Sequence, residues 1–291
     1  MAHAMLPVSN SLFEQNLPAE LHEPAGGYSF HYTRSPTAVT MTASRGAESA
    51  SGTIEWILGS GAQGQTPLVY APNGRLESRI SYFPQIRQYG ITVGQSGQPS
   101  PDALSALGVR QSSRDLQFCI GCHATAVSGD LQPVVPGIQC LRCHPGADRH
   151  AAGQGKPFNP DHGDARQQVR FCGNCHRLTA PVDDRQLENV RFQPLRLSKS
   201  RCFASGKLAC TTCHPAHQDA IRKDAAFYNV RCLACHSSGP AHPDDRQKRN
   251  CIGCHMPYVE LHPALKFTDH NIRVVKVGDF PPQFVRTRPA E

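Results

Sequence analysis

No run in this chain of 291 residues approaches 18 consecutive apolar residues, so it contains no transmembrane helix. Tryptophan occurs once, methionine four times, and aromatic residues make up only 7%. Charged residues stand at 18%, below the roughly 25% of ordinary globular chains. A core built from side chains alone would be thin, and another group is expected to supply part of it. There is no nucleotide-binding loop and no heptad repeat. Lysine is scarce, with 7 against 23 arginines. What is plentiful is Gly and Pro, 24 of each, so long helices and continuous sheets are not expected to dominate.

Cysteine is absent before Cys119 and after Cys254. Between them, twelve of thirteen fall into C-x-x-C pairs: Cys119/Cys122, Cys140/Cys143, Cys172/Cys175, Cys210/Cys213, Cys232/Cys235 and Cys251/Cys254. Each pair is followed at once by histidine, namely His123, His144, His176, His214, His236 and His255. A disulfide framework explains the even count but not the histidine, and zinc ribbons do not require it either. With 15 histidines in the chain, chance would place one after all six pairs on the order of once in a hundred million sequences. The pattern is that of c-type haem attachment. Cysteines three apart share one face of a helical turn, where both thiols reach the vinyl groups of one porphyrin. The next residue brings its imidazole under the iron as proximal ligand. Six covalent haems are therefore expected.

Each iron has a further axial position, and nine histidines lie outside the motifs: His3, His22, His31, His150, His162, His217, His242, His262 and His270. Met256 adjoins His255 and cannot reach the opposite face of the same haem. Met1, Met5 and Met41 are remote in sequence. Bis-histidine ligation is favoured, which sets lower potentials than methionine would. First-cysteine spacings of 21, 32, 38, 22 and 19 residues leave room for only a helix or two and a loop. Neighbouring macrocycles must then lie close, as electron hopping requires.

These motifs resemble the multihaem c-type cytochromes of the cytochrome c-554-like, doubled-CxxCH family, often fused to tetratricopeptide repeats. The most specific stretches are GIQCLRCHPGADRH (137–150), RFQPLRLSKSRCF (191–203), LACTTCHPAH (208–217), CIGCHMP (251–257) and FTDHNIR (267–273), with WILGSG (56–61) upstream. The resemblance implies that His150, His217, His262 and His270 are distal ligands, with His31 and His242 as further candidates. His22 and His162 match nothing in it and read as surface residues. MAHAM at the start resembles an interior segment in which a histidine follows an upstream attachment motif. Neither that motif nor a signal peptide is present. A fragment, a processed form or a misassigned start is therefore expected. His3 then ligates one of the six irons or a seventh haem attached on a missing N-terminal segment. Haem is attached covalently outside the cytoplasm, which implies a periplasmic or extracellular location.

The predicted fold class is mixed, with low regular secondary structure. A β-rich N-terminal part (1–112) would be followed by a hexahaem region (113–275) of short helices and loops organised around the haems, and by an extended tail (276–291). YSFHY, TAVTM, TIEWIL, TPLVY and RLESRISYF read as strands, and Asn73-Gly74 as a hairpin signal. The β-rich part is either a separate partner-binding domain or a cover that donates His31. Lone Cys202 reads as a small buried hydrophobe; an intermolecular disulfide or a thiol near a haem are the alternatives. The formal charge of +7 does not imply nucleic acid. Six ferric haems with ionised propionates would bring the total to about +1, and six ferrous ones to about −5. Part of the arginine excess is expected to pair with propionates.

The expected function is electron transfer between redox proteins, not catalysis. An alternative is a multihaem reductase or oxidase of a small nitrogen or sulfur species, which needs one open iron. The spare histidines suffice to fill all six positions, and no C-x-x-C-K variant associated with substrate-reducing haems occurs. A third reading is a subunit of a haem-lined conducting assembly, through self-association or contact with other multihaem cytochromes.

Overall fold

A computed structural model describes residues 1–23, 27–179, 186–222, 224–237, 250–276, 278–280 and 285–286. The chain divides into two compact units, Met1–Lys156 and Pro157–Glu291.

The first unit is dominated by one eight-stranded antiparallel sheet. Its strands are β1 (Met5–Pro7), β2 (Glu20–His22), β3 (Ser29–Arg34), β4 (Val39–Arg45), β5 (Glu48–Leu58), β6 (Thr66–Ala71), β7 (Gly74–Ser78) and, after an intervening hairpin of β8 (Ile80–Phe83) and β9 (Gln88–Ile91), β10 (Gly108–Arg110). The spatial order is β10-β7-β6-β5-β4-β3-β2, with β1 also paired to β5. Tight turns make the meander possible. Arg45 pairs with Glu48 across a two-residue loop whose first position, Gly46, has φ +60°, the left-handed conformation such hairpins need. The β6–β7 hairpin closes between Ala71 and Gly74, around Pro72 and Asn73.

Strand β5 decides which residues face which core. Its pairing with β6 shifts register between Ile54 and Trp56, and a bulge of this kind re-aims the side chains beyond it. Ile54 and Ile57 thus enter the same core, with Phe13, Phe30, Met41, Val69, Leu76 and Leu107, while Trp56 and Leu58 turn to the other face. Phe13 is fully buried there, its ring edge-on to Tyr32 and Tyr89 at centroid distances of 6.2 and 5.3 Å.

The short helices are α1 (Leu12–Gln15), α2 (Ala103–Leu107), α3 (Ser113–His123), α4 (Cys140–Cys143), α5 (Ala147–Ala151), α6 (Ala165–His176), α7 (Gln193–Ser198), α8 (Arg201–Ala204), α9 (Cys210–Cys213), α10 (Ala225–His236) and α11 (Cys251–His255). Strands also occur among them: the hairpin of β11 (Ala124–Val127) and β12 (Pro133–Pro136), and a small sheet of β13 (Tyr258–His262), β14 (Leu265–Thr268) and β15 (Val285–Arg286). The second unit has a small hydrophobic cluster of Val190, Val259 and Phe280.

The expected fold class is corrected by this architecture. The leading element is a continuous eight-stranded antiparallel sheet, not a chain of low regular structure arranged as helices and loops around haems. Among the described residues, no group of three or more His, Cys, Asp or Glu side chains is arranged to hold a metal ion. Gly and Pro misled the expectation because some close turns, and others, such as Gly52 in β5 and Pro67 in β6, are accommodated within strands. Gly46 and Pro72 close the meander instead of interrupting its strands.

One buried ion pair locks the edge of this unit. Glu23 and Arg79, 3% and 5% exposed, meet through carboxylate and guanidinium. Glu23 also accepts from the Ser100 hydroxyl at 2.8 Å, the Ser100 N–H at 3.2 Å and the Tyr28 N–H at 3.1 Å. Burial alone would raise the carboxyl, but the bonds from Ser100, Tyr28 and Arg79 outweigh it and hold Glu23 below its ordinary value. A depressed folded-state pKa contributes stability above the unfolded value of about 4.3, and loses it as pH falls through the folded value. Glu23→Gln is therefore expected to flatten the acid limb of the stability profile, measured as denaturant midpoints between pH 7 and pH 3. An acid limb as steep as that of the parent protein would show that other groups titrate there.

Candidate haem-attachment site

All six C-x-x-C pairs lie on helices. Cys119 and Cys122 sit in the last turn of α3, Cys172 and Cys175 in that of α6, and Cys232 and Cys235 in that of α10. The pairs Cys140/Cys143, Cys210/Cys213 and Cys251/Cys254 are themselves the short helices α4, α9 and α11. Local sequence starts the three longer helices and α11. Ser112 caps α3 at 3.1 Å, Asp164 forms a capping box with Gln167 on α6, Asp224 caps α10 at 2.8 Å, and Asn250 caps α11 at 3.0 Å.

The motif histidine ends the helix every time. His123, His176, His236 and His255 are the final helical residues. His144 and His214 are C-caps, their N–H groups bonded to the carbonyls of Cys140 and Cys210 at 2.8 and 2.9 Å. None of the thirteen cysteines forms a disulfide.

Several imidazoles have one nitrogen already engaged. Nδ1 of His123 lies 2.6 Å from the Ala4 carbonyl, and Nδ1 of His255 lies 3.0 Å from the Arg273 carbonyl. Among the distal candidates, Nδ1 of His270 is 2.9 Å from the Thr268 carbonyl, and that of His150 is 2.8 Å from Gly155. A carbonyl only accepts, so Nδ1 carries the proton and Nε2 keeps a lone pair for a metal. His214 reaches the same state through Tyr228, whose hydroxyl donates to the Ile221 carbonyl at 2.7 Å and faces Nδ1 at 3.4 Å. Burial pushes His123 and His214 down and takes His270 to about 4, with the nearby His214 adding to the effect. All three are neutral at pH 7, the form that ligates iron.

The rings of His214 and His270 lie near one another, with centroids 6.1 Å apart and planes inclined by 37°. An imidazole nitrogen sits about 2 Å from a first-row metal ion, so two rings on opposite sides of one ion have centroids roughly 6 Å apart. Motifs of the second unit also adjoin one another. The thiols of Cys172 and Cys210 are hydrogen-bonded, which lowers the first and raises the second. Cys232 is pushed up to about 11 by burial, with Cys251 and Cys213 contributing. Large apolar side chains beside the cysteines are left exposed: Phe118 at 57%, Leu141 at 45% and Leu233 at 49%. Together the donor set, the helical spacing and this apolar surface fit a covalently held porphyrin with histidine below the iron.

The first motif is anchored to the sheet. Leu116 and Ile120 of α3 pack with Met5, Leu68 and Ala124, against Trp56 and Leu58. The N-terminal residues run beside the motifs. Met1 accepts from Ile138 at 3.3 Å, and Ala4 accepts from His123. His3 lies between them, exposed. His31 projects from the outer face of β3, 3.4 Å from the Glu20 carboxylate. His217 is exposed in a turn after α9. His242 and the side chain of His262 lie outside the described residues. His22 and His162 are exposed. Cys202, on α8, is half-buried and not enclosed as a buried hydrophobe would be.

Sequence reasoning missed the ion-paired carboxylate beside His270. Asp269, fully buried, accepts Arg196 through both oxygens at 2.7 and 2.8 Å and Arg273 at 2.8 Å. Its own pKa is raised by burial but lowered more by Arg196, Asn271 and Arg273, so it is held below its ordinary value. The signal was present: RFQPLRLSKSRCF and FTDHNIR stood out as specific stretches, but only His270 and Cys202 within them were given readings. No helix among the described residues is long and apolar enough to cross a membrane. Comparison of the chain with protein-family models, with characterised proteins and with solved structures yields no match.

Proposed function

We propose that this chain is a multihaem c-type cytochrome that passes electrons one at a time between redox proteins outside the cytoplasm. The observation that carries the reading is the placement of all six C-x-x-C-H motifs at helix ends, each histidine closing the turn that bears its two cysteines. When bound, each haem supplies the one-electron couple of its iron. The chain's own residues do the rest. Paired cysteines fix each porphyrin edge, and the carbonyls of Ala4 and Arg273 hold the proximal rings of His123 and His255 in one tautomer. The adjacency of Cys172 to Cys210, and of Cys232 to Cys251, favours close macrocycles over isolated ones. The apolar side chains exposed at Phe118, Leu141 and Leu233 support the same reading.

A pyridine haemochrome assay on protein matured with a haem-attachment system is expected to give six haems per chain. The optical and paramagnetic spectra are expected to be low-spin throughout, with no appreciable binding of carbon monoxide or nitrite. Clearly fewer than six haems would contradict the attachment reading. A stoichiometric high-spin iron would replace the carrier by an enzyme with an open site.

A further inference from the structure

We infer that Asp269 is a positioning residue for two axial histidines at once, so that the irons held by His255 and His270 are tuned together. The inference rests on the cytochrome reading above. His270 follows Asp269 directly, and its Nδ1 donates to Thr268, the residue directly before Asp269. His255 donates to the carbonyl of Arg273 at 3.0 Å, while the Arg273 N–H returns to the carbonyl of His255 at 3.2 Å. Both acceptor carbonyls therefore belong to the segment 268–273.

That segment is shaped from one point. The Asp269 carboxylate accepts the N–H of Asn271 at 3.1 Å, a turn-forming bond two residues on, and the Arg273 guanidinium at 2.8 Å. Its N–H is tied to Pro257 at 2.9 Å, just beyond α11. Arg196, on α7 and 73 residues away in sequence, clamps both carboxylate oxygens. A bidentate guanidinium fixes direction as well as distance. The carboxylate thus holds the two carbonyls that orient the two imidazoles. The His270 ring lies 6.1 Å from that of His214, so the clamp connects the iron of the fourth motif with that of the sixth.

The sign of the effect follows. A firm Nδ1–H···O=C bond makes imidazole a stronger donor and favours ferric iron. A buried negative charge favours the ferric state as well. Weakening the clamp should raise both potentials.

The test is a potentiometric titration of the holo-protein, followed optically and by electron paramagnetic resonance, with Asp269→Asn and Arg196→Lys. For Asp269→Asn, two of the six irons are expected to become easier to reduce by roughly tenfold or more, about 59 mV for one electron. The low-spin signals of the same two irons should move, and the other four should stay in place. Arg196→Lys, which keeps the positive charge but loses the two-point clamp, should move the same two in the same direction by less. Six unshifted potentials, or a shift spread over all six, would overturn the inference. If Asp269→Asn yields no folded protein, Arg196→Lys decides alone, and unshifted potentials there overturn it equally. The haem count of the parent protein separates the two ideas. Fewer than six haems defeats the cytochrome reading, whereas six haems with an unmoved pair defeats only this inference.

Discussion

Ile120→Asp is expected to detach the first attachment helix from the sheet and to bring the first unit close to unfolding. Ile120 lies between Cys119 and Cys122 in sequence but on the opposite side of α3, fully buried with Leu116, Met5, Leu68 and Ala124. Truncating a buried isoleucine costs about 2–5 kcal/mol. A carboxylate placed there adds several kcal/mol of desolvation, because the apolar pocket offers it no cation. Against a total stability of about 5–15 kcal/mol, the sum removes most of the margin. Denaturant melts and the haem count should both report it, the latter falling through loss of the first haem. Ile120→Val, at about 0.5–1.5 kcal/mol, should keep the full count. A near-parental melt for Ile120→Asp would mean that α3 does not rest on the sheet.

The second large effect is expected from Cys210→Ser combined with Cys213→Ser. Haem content should fall by one from six, and the fall should be chemical, not structural, because α9 keeps its C-cap bond from His214 to Cys210. The carbonyl that accepts this bond is main chain and unaffected by the substitution. Electron equilibration across the protein should slow sharply if the fourth motif is an interior station, as the contact of Cys210 with Cys172 favours. Stopped-flow reduction monitored at the haem bands would measure it. An unchanged haem count would show that these cysteines anchor nothing.

Parts of both outcomes were readable before any coordinates. The strand segments around YSFHY, TAVTM and TIEWIL were legible because alternation is local. Their union into one eight-stranded sheet was not. Register and closure depend on partners far apart in sequence, such as Met5 opposite Leu58. The bulge that sends Trp56 toward α3 leaves no trace in a single strand's pattern. The expectation of low regular structure failed for this reason: Gly and Pro were counted without knowing which of them close turns and which, such as Gly52 and Pro67, lie within strands.

The sequence by itself determined the six C-x-x-C-H motifs on which the proposed attachment chemistry rests. C-x-x-C-H is a signature confined to one helical turn, where spacing alone brings two thiols and an imidazole to one end. Only the tertiary structure decided what surrounds those turns. It set which face of the sheet carries α3, how His214 comes to lie near His270, and how Asp269 reaches Arg196 across 73 residues. Such contacts depend on chain closure and burial, and neither writes a periodic pattern into the residues that make them.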